Sequence, residues 1–328
     1  MPVGTTLRST LASMLLLALA APAATADTEA WPARPVRLVV PFGPGGSSDI
    51  AARVFSQKLS ERLGQQFVVD NRPSAGGVLG AEQLARAAPD GYTLGLANAS
   101  SQTASPIIFP NVAYHPVTDF TYVAFIGTVP AVLIVHPTFA AQSVADLVRM
   151  AKAQPGKIDY GTAGNGTIGH IVGEMFQSIT GTTLTHVPYR SSSFMFAGLR
   201  ANDFPVSFDV LAQNQEHIKA GTVRPLAISG SKRVVMAPDI PTFVELGYPD
   251  LIGENWLGLA APAGLPRQIV ERLHREMAQL AKEPEIAERL VRLGITYQSM
   301  SPAQFQDYVA KEYARWGPVV KAARITVN

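Results

Sequence analysis

Two glycine-rich segments carry polar residues where helices are expected to begin: Gly43-Pro44-Gly45-Gly46-Ser47-Ser48-Asp49 and Gly164-Asn165-Gly166-Thr167. The chemistry this arrangement supports is anion binding. The first turn of a helix leaves its N–H groups unpaired, and aligned peptide dipoles place roughly half a positive charge there. Glycines let an anion approach the backbone, and Ser47, Ser48 and Thr167 add hydroxyl donors. One such loop alone is more often a tight turn that holds nothing. Two of them, each at the carboxyl end of a strand and facing a crevice, suit a diacid or an acid with a second polar end.

Other chemistries fail on residue type or spacing. A phosphate-binding P-loop needs Gly-Lys-Ser/Thr, and neither segment contains lysine. The first approaches the dinucleotide pattern G-x-G-x-x-G, with Asp70 where a ribose ligand would stand, but its sixth position is Ser48. There is no G-x-S-x-G elbow, no zincin motif and no cysteine, which removes the familiar hydrolase nucleophiles and thiolate metal sites. His170 and Glu174 are four apart on an expected helix, yet lack a third metal ligand. Asp49, an acid in a helix's first turn, is expected to cap backbone N–H groups or orient a water rather than touch a carboxylate. Arg72, Arg190 and Lys232 are candidate counter-charges for an anion.

The elements that must position these residues repeat one grammar. VRLVVPF reads as a buried strand, followed by the first loop and by a helix with Ala52, Phe55, Leu59 and Leu63 on one face, Ser47 or Ser48 at its start and Gly64 at its end. Then come strand QFVVDN, loop NRPSAGG, a helix over 81–88 and strand YTLGLA. Residues 120–135 (FTYVAFIGTVPAVLIV) read as two strands joined around Gly127 and Pro130, where the chain is expected to pass between lobes. A second unit follows: a helix over 144–153, strand KIDYGTA, the second loop, a helix over 168–180, strand HVPY, a helix near 194–200, strand FPVSFDV, a helix near 214–220 and strand VRPLAISG. A return crossing is expected at 253–259. The remainder reads as helical, with a last helix through Phe305, Val309, Glu312 and Trp316 capped by Ser301-Pro302. Alternating strands and helices predict parallel sheets.

The first residues read as an export signal. Arg8 precedes a short apolar run, LASMLLLALA, and Ala24-Thr25-Ala26 fits a signal-peptidase site, so cleavage is expected after Ala26. That run is too short to span a bilayer. The 328-residue chain carries net charge +2, and +1 without residues 1–26, which hold one Arg and no acid. No basic footprint for nucleic acid is present. With 47% apolar content and no cysteine for disulfides, a large core must supply the stability, and the length favours two lobes.

These residues together resemble the Bug-type extracytoplasmic receptors of tripartite tricarboxylate transporters. The resemblance runs through WPARPVRLVVPFGPGGSSDIAAR, LGQQFVVDNRPSAGG, AAPDGYTL, AGNGTIGH, HVPYR, Phe208-Asp209, IKAG, PTFVELG and LGLAAPAGLP. It implies an α/β, two-lobed type II periplasmic-binding-protein fold, with lobe 1 over 27–128, lobe 2 over 129–252 and a return to lobe 1 over 253–328. It implies a periplasmic monomer that captures a small carboxylate for membrane permease subunits, with no cofactor, no metal and no catalysis. It places Phe42, Gly45, Gly46, Ser47, Ser48 and Asp49 on one wall, and Ala163, Gly164, Asn165, Gly166, Thr167 and His170 on the other. Ser100, Ser101 and Asp209 would line the crevice, and Arg190 completes the expected ligand-binding set. Arg190-Ser191 stands where the family commonly has Lys-Gly, and the following SSFMF is bulkier than usual. The expected ligand is therefore an aliphatic or an aromatic acid.

Overall fold

A computed structural model describes residues 31–109 and 111–322. The expected signal segment and its cleavage point after Ala26 lie outside them. Strands β1 (Val36–Val40), β2 (Phe67–Asn71) and β3 (Thr93–Asn98) are parallel, with β1 in the middle. Further on, β4 (Phe120–Val135) leads to a second parallel set, β5 (Asp159–Thr162), β6 (Thr185–Pro188) and β7 (Val206–Val210), with β5 in the middle. β8 (Arg224–Ile228) and β9 (Glu254–Pro262) follow, and β10 is the short Thr296–Tyr297. The order across the sheet is β2-β1-β3-β9-β4-β7-β5-β6, with β8 and β10 also pairing to β4.

The parallel pairing expected of the alternating units holds within each set, and the strands between them pair otherwise. β9 runs antiparallel to β3 and β4, and β4 runs antiparallel to β7 and β8. The pair of strands at the centre therefore joins two parallel sets by antiparallel contacts.

The expected break inside 120–135 is corrected, because one strand of 16 residues runs through. Register shifts between Tyr122 and Ala124 and between Phe125 and Gly127 absorb the irregularity as bulges. Gly127 is required there, since a Cβ would lie 2.3 Å from the Thr296 carbonyl oxygen of β10. Pro130 falls opposite Glu254, where β9 begins and β4 changes partners, so its missing N–H removes little from the ladder.

At that change of partners Ser229, fully buried, ties the two central crossings together. The Ala131 N–H donates to Ser229 Oγ (2.9 Å), Ser229 N–H donates to the Ala131 carbonyl (2.9 Å), and Gly253 N–H donates to the Ser229 carbonyl (3.0 Å). The Ser229 hydroxyl donates in turn to the Gly253 carbonyl. Ser229→Ala leaves a buried N–H and a buried carbonyl without this partner, so a loss of about 1–3 kcal/mol is expected in a urea melt.

The helices are α1 (Ser47–Leu63), α2 (Val78–Ala85), α3 (Ser105–Ile108), α4 (Val144–Ala153), α5 (Ile168–Thr180), α6 (Ser192–Ala201), α7 (Leu211–Lys219), α8 (Arg267–Leu280), α9 (Pro284–Arg292) and α10 (Pro302–Ala322). The apolar face expected for α1 is buried at Ala52, Phe55, Leu59 and Leu63, and Gly64 closes the helix in the left-handed conformation. Its N-cap is Gly46, with no side-chain cap, rather than Ser47 or Ser48. α10 opens on a reciprocal cap: Gln304 N–H donates to Ser301 Oγ (3.2 Å) and Ser301 N–H to Gln304 Oε1 (2.9 Å). Phe305 then seats α10 on the central strands among Tyr122, Phe125 and Trp256, with ring centroids 4.9–5.5 Å away.

Candidate functional site

Because β1, β2 and β3 are parallel, and β5, β6 and β7 likewise, the chain leaves each strand at a carboxyl end and enters a helix by its N-terminus. These ends surround one cavity of about 610 Å³. Residues 42–48 reach it from the β1–α1 loop, 73–76 from the β2–α2 loop, and Asn98 and Ser100 from the end of β3. On the opposite side stand 163–165 and 167–169 from β5–α5, 188–193 from β6–α6, and Asp209, Val210 and Gln213 from β7–α7. Asn255 of β9 also lines it.

α1, α5 and α7 have no side-chain cap at their N-termini, whereas at α6 Ser191 Oγ accepts from the Phe194 N–H. Three helix starts thus keep their first-turn donors open to the cavity. Hydroxyls of Ser47, Ser48, Ser74, Ser100, Thr167, Ser192 and Ser193 belong to the lining residues. Arg190 is the one cationic side chain in the described lining, and Asp209 the one acidic. The Arg190 guanidinium lies 3.6 Å over the Phe194 ring, which holds it through its face and leaves its N–H edges for a carboxylate.

Of the sixteen expected site residues, twelve line the cavity: Phe42, Gly45, Gly46, Ser47, Ser48, Ser100, Ala163, Gly164, Asn165, Thr167, Arg190 and Asp209. Asp49, Ser101, Gly166 and His170 do not, and the reasons are local. Asp49 and His170 occupy the same third position in their helices, α1 and α5, and each reaches back four residues. Asp49 accepts from the Gly45 N–H (3.0 Å) and His170 Nδ1 from the Gly166 N–H (3.2 Å). Both glycines are left-handed, at φ +87° and +74°. The two loops are therefore one device built twice, with a third-position acceptor pinning a left-handed glycine behind the open donors.

Asp49 is further held by Asn71 Nδ2 (2.9 Å) and Arg53 Nε (2.9 Å). Burial alone would raise its pKa, but these donors and Gly45 outweigh it and keep the carboxyl below its ordinary value. Its backbone partner is the loop glycine Gly45 rather than a first-turn N–H of α1, which has no side-chain cap. His170 instead stacks on His186, with centroids 4.2 Å apart, and burial together with the neighbouring imidazole depresses it to about 3. His186, depressed to about 4 by burial, bonds Thr162 Oγ1 (2.7 Å), which also bonds the Gly164 N–H (3.2 Å). Ser101 is turned onto Asn98, whose Oδ1 accepts from the Ser101 N–H (2.9 Å).

Other candidates are occupied elsewhere. Glu174 accepts from the Tyr160 hydroxyl (2.5 Å) and Gln177 (2.9 Å), and among the described residues no group of three metal-capable side chains forms. Asp70 is bound by Arg37 and Arg72, which removes both Asp70 as a ribose ligand and Arg72 as a counter-charge. Lys232 does not line the cavity.

Besides neighbours of the expected residues at 43–44, 168–169, 188–189, 191–193 and 210, sequence reasoning missed residues 73–76, Asn98, Gln213 and Asn255. A stricter use of the rule that strand ends line the crevice would have found 73–76 and Asn98. Asn255 gave the subtler signal of a polar residue inside the apolar strand ENWLGLA. It is only 5% exposed, and its Oδ1 has no hydrogen-bond partner.

Residues 51–325 match the family model for the tripartite tricarboxylate transporter family receptor, TctC. The chain belongs to this family. Protein BugT of Bordetella pertussis is 34% identical over 308 residues, covering 94% of each chain. A structure of an R. palustris protein with adipate is 35% identical, with a TM-score of 0.85 over 90% of this chain and 99% of that one. MatC from Rhodopseudomonas palustris, with bound malate, is 29% identical at a TM-score of 0.82, over 88% and 100%. The fold is accordingly the two-lobed one of periplasmic binding proteins. TctC receptors are periplasmic solute-binding proteins, which is not an enzyme class. No described helix is long and apolar enough to cross a membrane.

Proposed function

We propose that this TctC receptor captures a small di- or tricarboxylate, aliphatic or aromatic, in the 610 Å³ cavity and delivers it to the permease of a tripartite tricarboxylate-type transporter. Three uncapped helix starts opening into one cavity that contains a single arginine carry this reading. Hydrogen bonds to a charged group contribute about 1.5–3 kcal/mol each. Four to six of them, less association costs, reach the roughly −8 kcal/mol of micromolar capture. The relatives with adipate and malate support the ligand class.

In this reading the chain is a monomer exported by a signal peptide cleaved after Ala26. Residues 27–128 and 253–328 form one lobe and 129–252 the other. One ligand end meets Gly45, Gly46, Ser47 and Ser48, and the other meets Gly164, Asn165, Thr167 and Arg190. Asp209 stands at that second end beside Arg190; Phe42, Ser100 and Ala163 close the walls, and Asp49, Ser101, Gly166 and His170 support them from behind.

The test is a thermal-shift and titration series of mono-, di- and tricarboxylates with their methyl esters. Dicarboxylates should raise Tm and their diesters should not. Arg190→Ala should weaken dianions about tenfold or more, since a charge-assisted hydrogen bond is lost, and should affect monoanions less. Turnover of an ester, or a shift of equal size by acid and diester, would remove the proposal.

A further inference from the structure

Asp209 poses a problem for an anion site. It lines the cavity and is only 3% exposed, yet among the described residues no cation pairs with it. Ser192 Oγ donates to its Oδ1 (2.9 Å), Asn214 Nδ2 to its Oδ2 (3.0 Å) and the Val210 backbone N–H to the same carboxylate, so three donors leave it acceptor capacity for one further partner. The flanking chain makes the position still more particular. Ser192 is the first residue of α6, and Asp209 stands two residues ahead of α7, whose N-terminus has no side-chain cap. Two helix starts there attract a carboxylate and repel an ammonium. The group this corner draws in is thus one that Asp209, when ionised, repels.

We propose that Asp209 resolves this conflict by taking up a proton as the ligand binds and donating it in a hydrogen bond to the ligand carboxylate at the starts of α6 and α7. The proposal rests on the carboxylate-capture reading. The proton comes from solvent, no covalent bond changes, and the complex carries one charge fewer than its separated parts. Two carboxyl groups a few ångströms apart share one proton rather than both ionising.

The surroundings offer no competing counter-ion. The ionisable side chains on the elements packed against β7 are Tyr122 of β4, Asp159 and Tyr160 of β5, His170 and Glu174 of α5, Arg200 of α6, and Glu216, His217 and Lys219 of α7, with Arg190 ahead of α6. None forms a hydrogen bond or ion pair with Asp209. His170 and His186 are held neutral, and Glu174 is engaged by Tyr160 and Gln177. Burial outweighs the donors Asn214, Val210 N–H and Ser192 and leaves the Asp209 carboxyl raised to about 6.

The experiment is calorimetric titration of the full chain with adipate at pH 7.5 in two buffers of different ionisation enthalpy, where adipate is fully ionised. Uptake of close to one proton is expected, with affinity falling up to about tenfold per pH unit above the unliganded pKa. Asp209→Asn should bind adipate without proton uptake and with affinity nearly flat from pH 6 to 8, because the amide donates permanently. Asp209→Ser serves the same purpose if the Asn variant does not fold, and the wild-type proton count needs neither. Adipate binding without proton uptake, or a preference for an ammonium or hydroxyl ligand that vanishes in Asp209→Asn, would overturn the proposal. Absence of heat from every dicarboxylate in the wild type would instead overturn the capture reading beneath it.

Discussion

Gly46→Val and Gly166→Val are each expected to lower carboxylate affinity by about a hundredfold or more, by different routes. The distinction is measurable. Gly46 has an ordinary φ of −79°, and a Cβ there would make ordinary contacts with Gln213 Nε2 at 3.6 Å and the Gly43 carbonyl oxygen at 4.0 Å. Valine at that position stands in the space between the walls and blocks a ligand from the start of α1. The stability cost is that of a poorer N-cap, about 1 kcal/mol. Gly166 is different, at φ +74° with a Cβ position 2.9 Å from Phe109 Cε2 and 3.6 Å from Gly76 Cα. A β-branched residue in the left-handed region costs at least about 1–2 kcal/mol. The loop would relieve that strain by moving, which withdraws Gly164, Asn165 and Thr167 from the cavity. Titration with adipate gives the affinities and urea melts give the stabilities. Gly46→Val should separate the two, losing binding with little loss of stability, whereas Gly166→Val should lose both. Unchanged affinity in both variants would show that the ligand binds elsewhere.

What the sequence disclosed follows the range of the interactions involved. The strand, glycine loop and helix units are local, and the change from short continuous apolar runs to a 3.6-residue period was readable, as were the Gly64 stop and the Ser301 start. Twelve cavity residues followed, because strand ends and helix starts in such units must face the same way. The antiparallel placement of β9 between β3 and β4 was not readable, since it pairs segments more than a hundred residues apart. Nor could Gly127 and Pro130 be recognised as tolerable inside one strand without knowing that β10 passes close by and that β4 changes partners there. The four residues that turned away from the cavity failed for a finer reason. Neighbours in an α-helix's first turn point about 100° apart, so Ser48 can line a cavity while Asp49 reaches back to Gly45, and in the π turn Ser100–Ala104 after β3 Ser100 lines it while Ser101 bonds Asn98.

The twinned loops also predict an asymmetric response to acid. Asp49 accepts the Gly45 N–H with a carboxylate that is held ionised below its ordinary pKa, so that pin survives mild acid. His170 accepts the Gly166 N–H with Nδ1, which requires a neutral imidazole protonated on Nε2. Its folded pKa of about 3, and that of His186 at about 4, lie below the ordinary 6.5, so between those limits the unfolded chain binds more protons than the folded one. Their contribution to stability is full above pH 6.5 and is lost as pH falls through this window. Asp209, raised to about 6, together with Glu174 and Glu254, also raised by burial, works in the opposite sense and gains stability on acidification. The total pH profile therefore mixes both, and a variant must isolate the imidazole part. His170→Asn keeps an acceptor without a titrating ring. It should lose some stability at pH 7.5, where the stack with His186 is broken, but less than the wild type on going from pH 6.5 to 4.5. The wild-type minus variant difference in urea-melt stability should shrink by about 1–2 kcal/mol across that window, a fraction of the ~1.4 kcal/mol per pKa unit that linkage allows. A constant difference across the window would mean that the stacked imidazoles do not titrate with the fold.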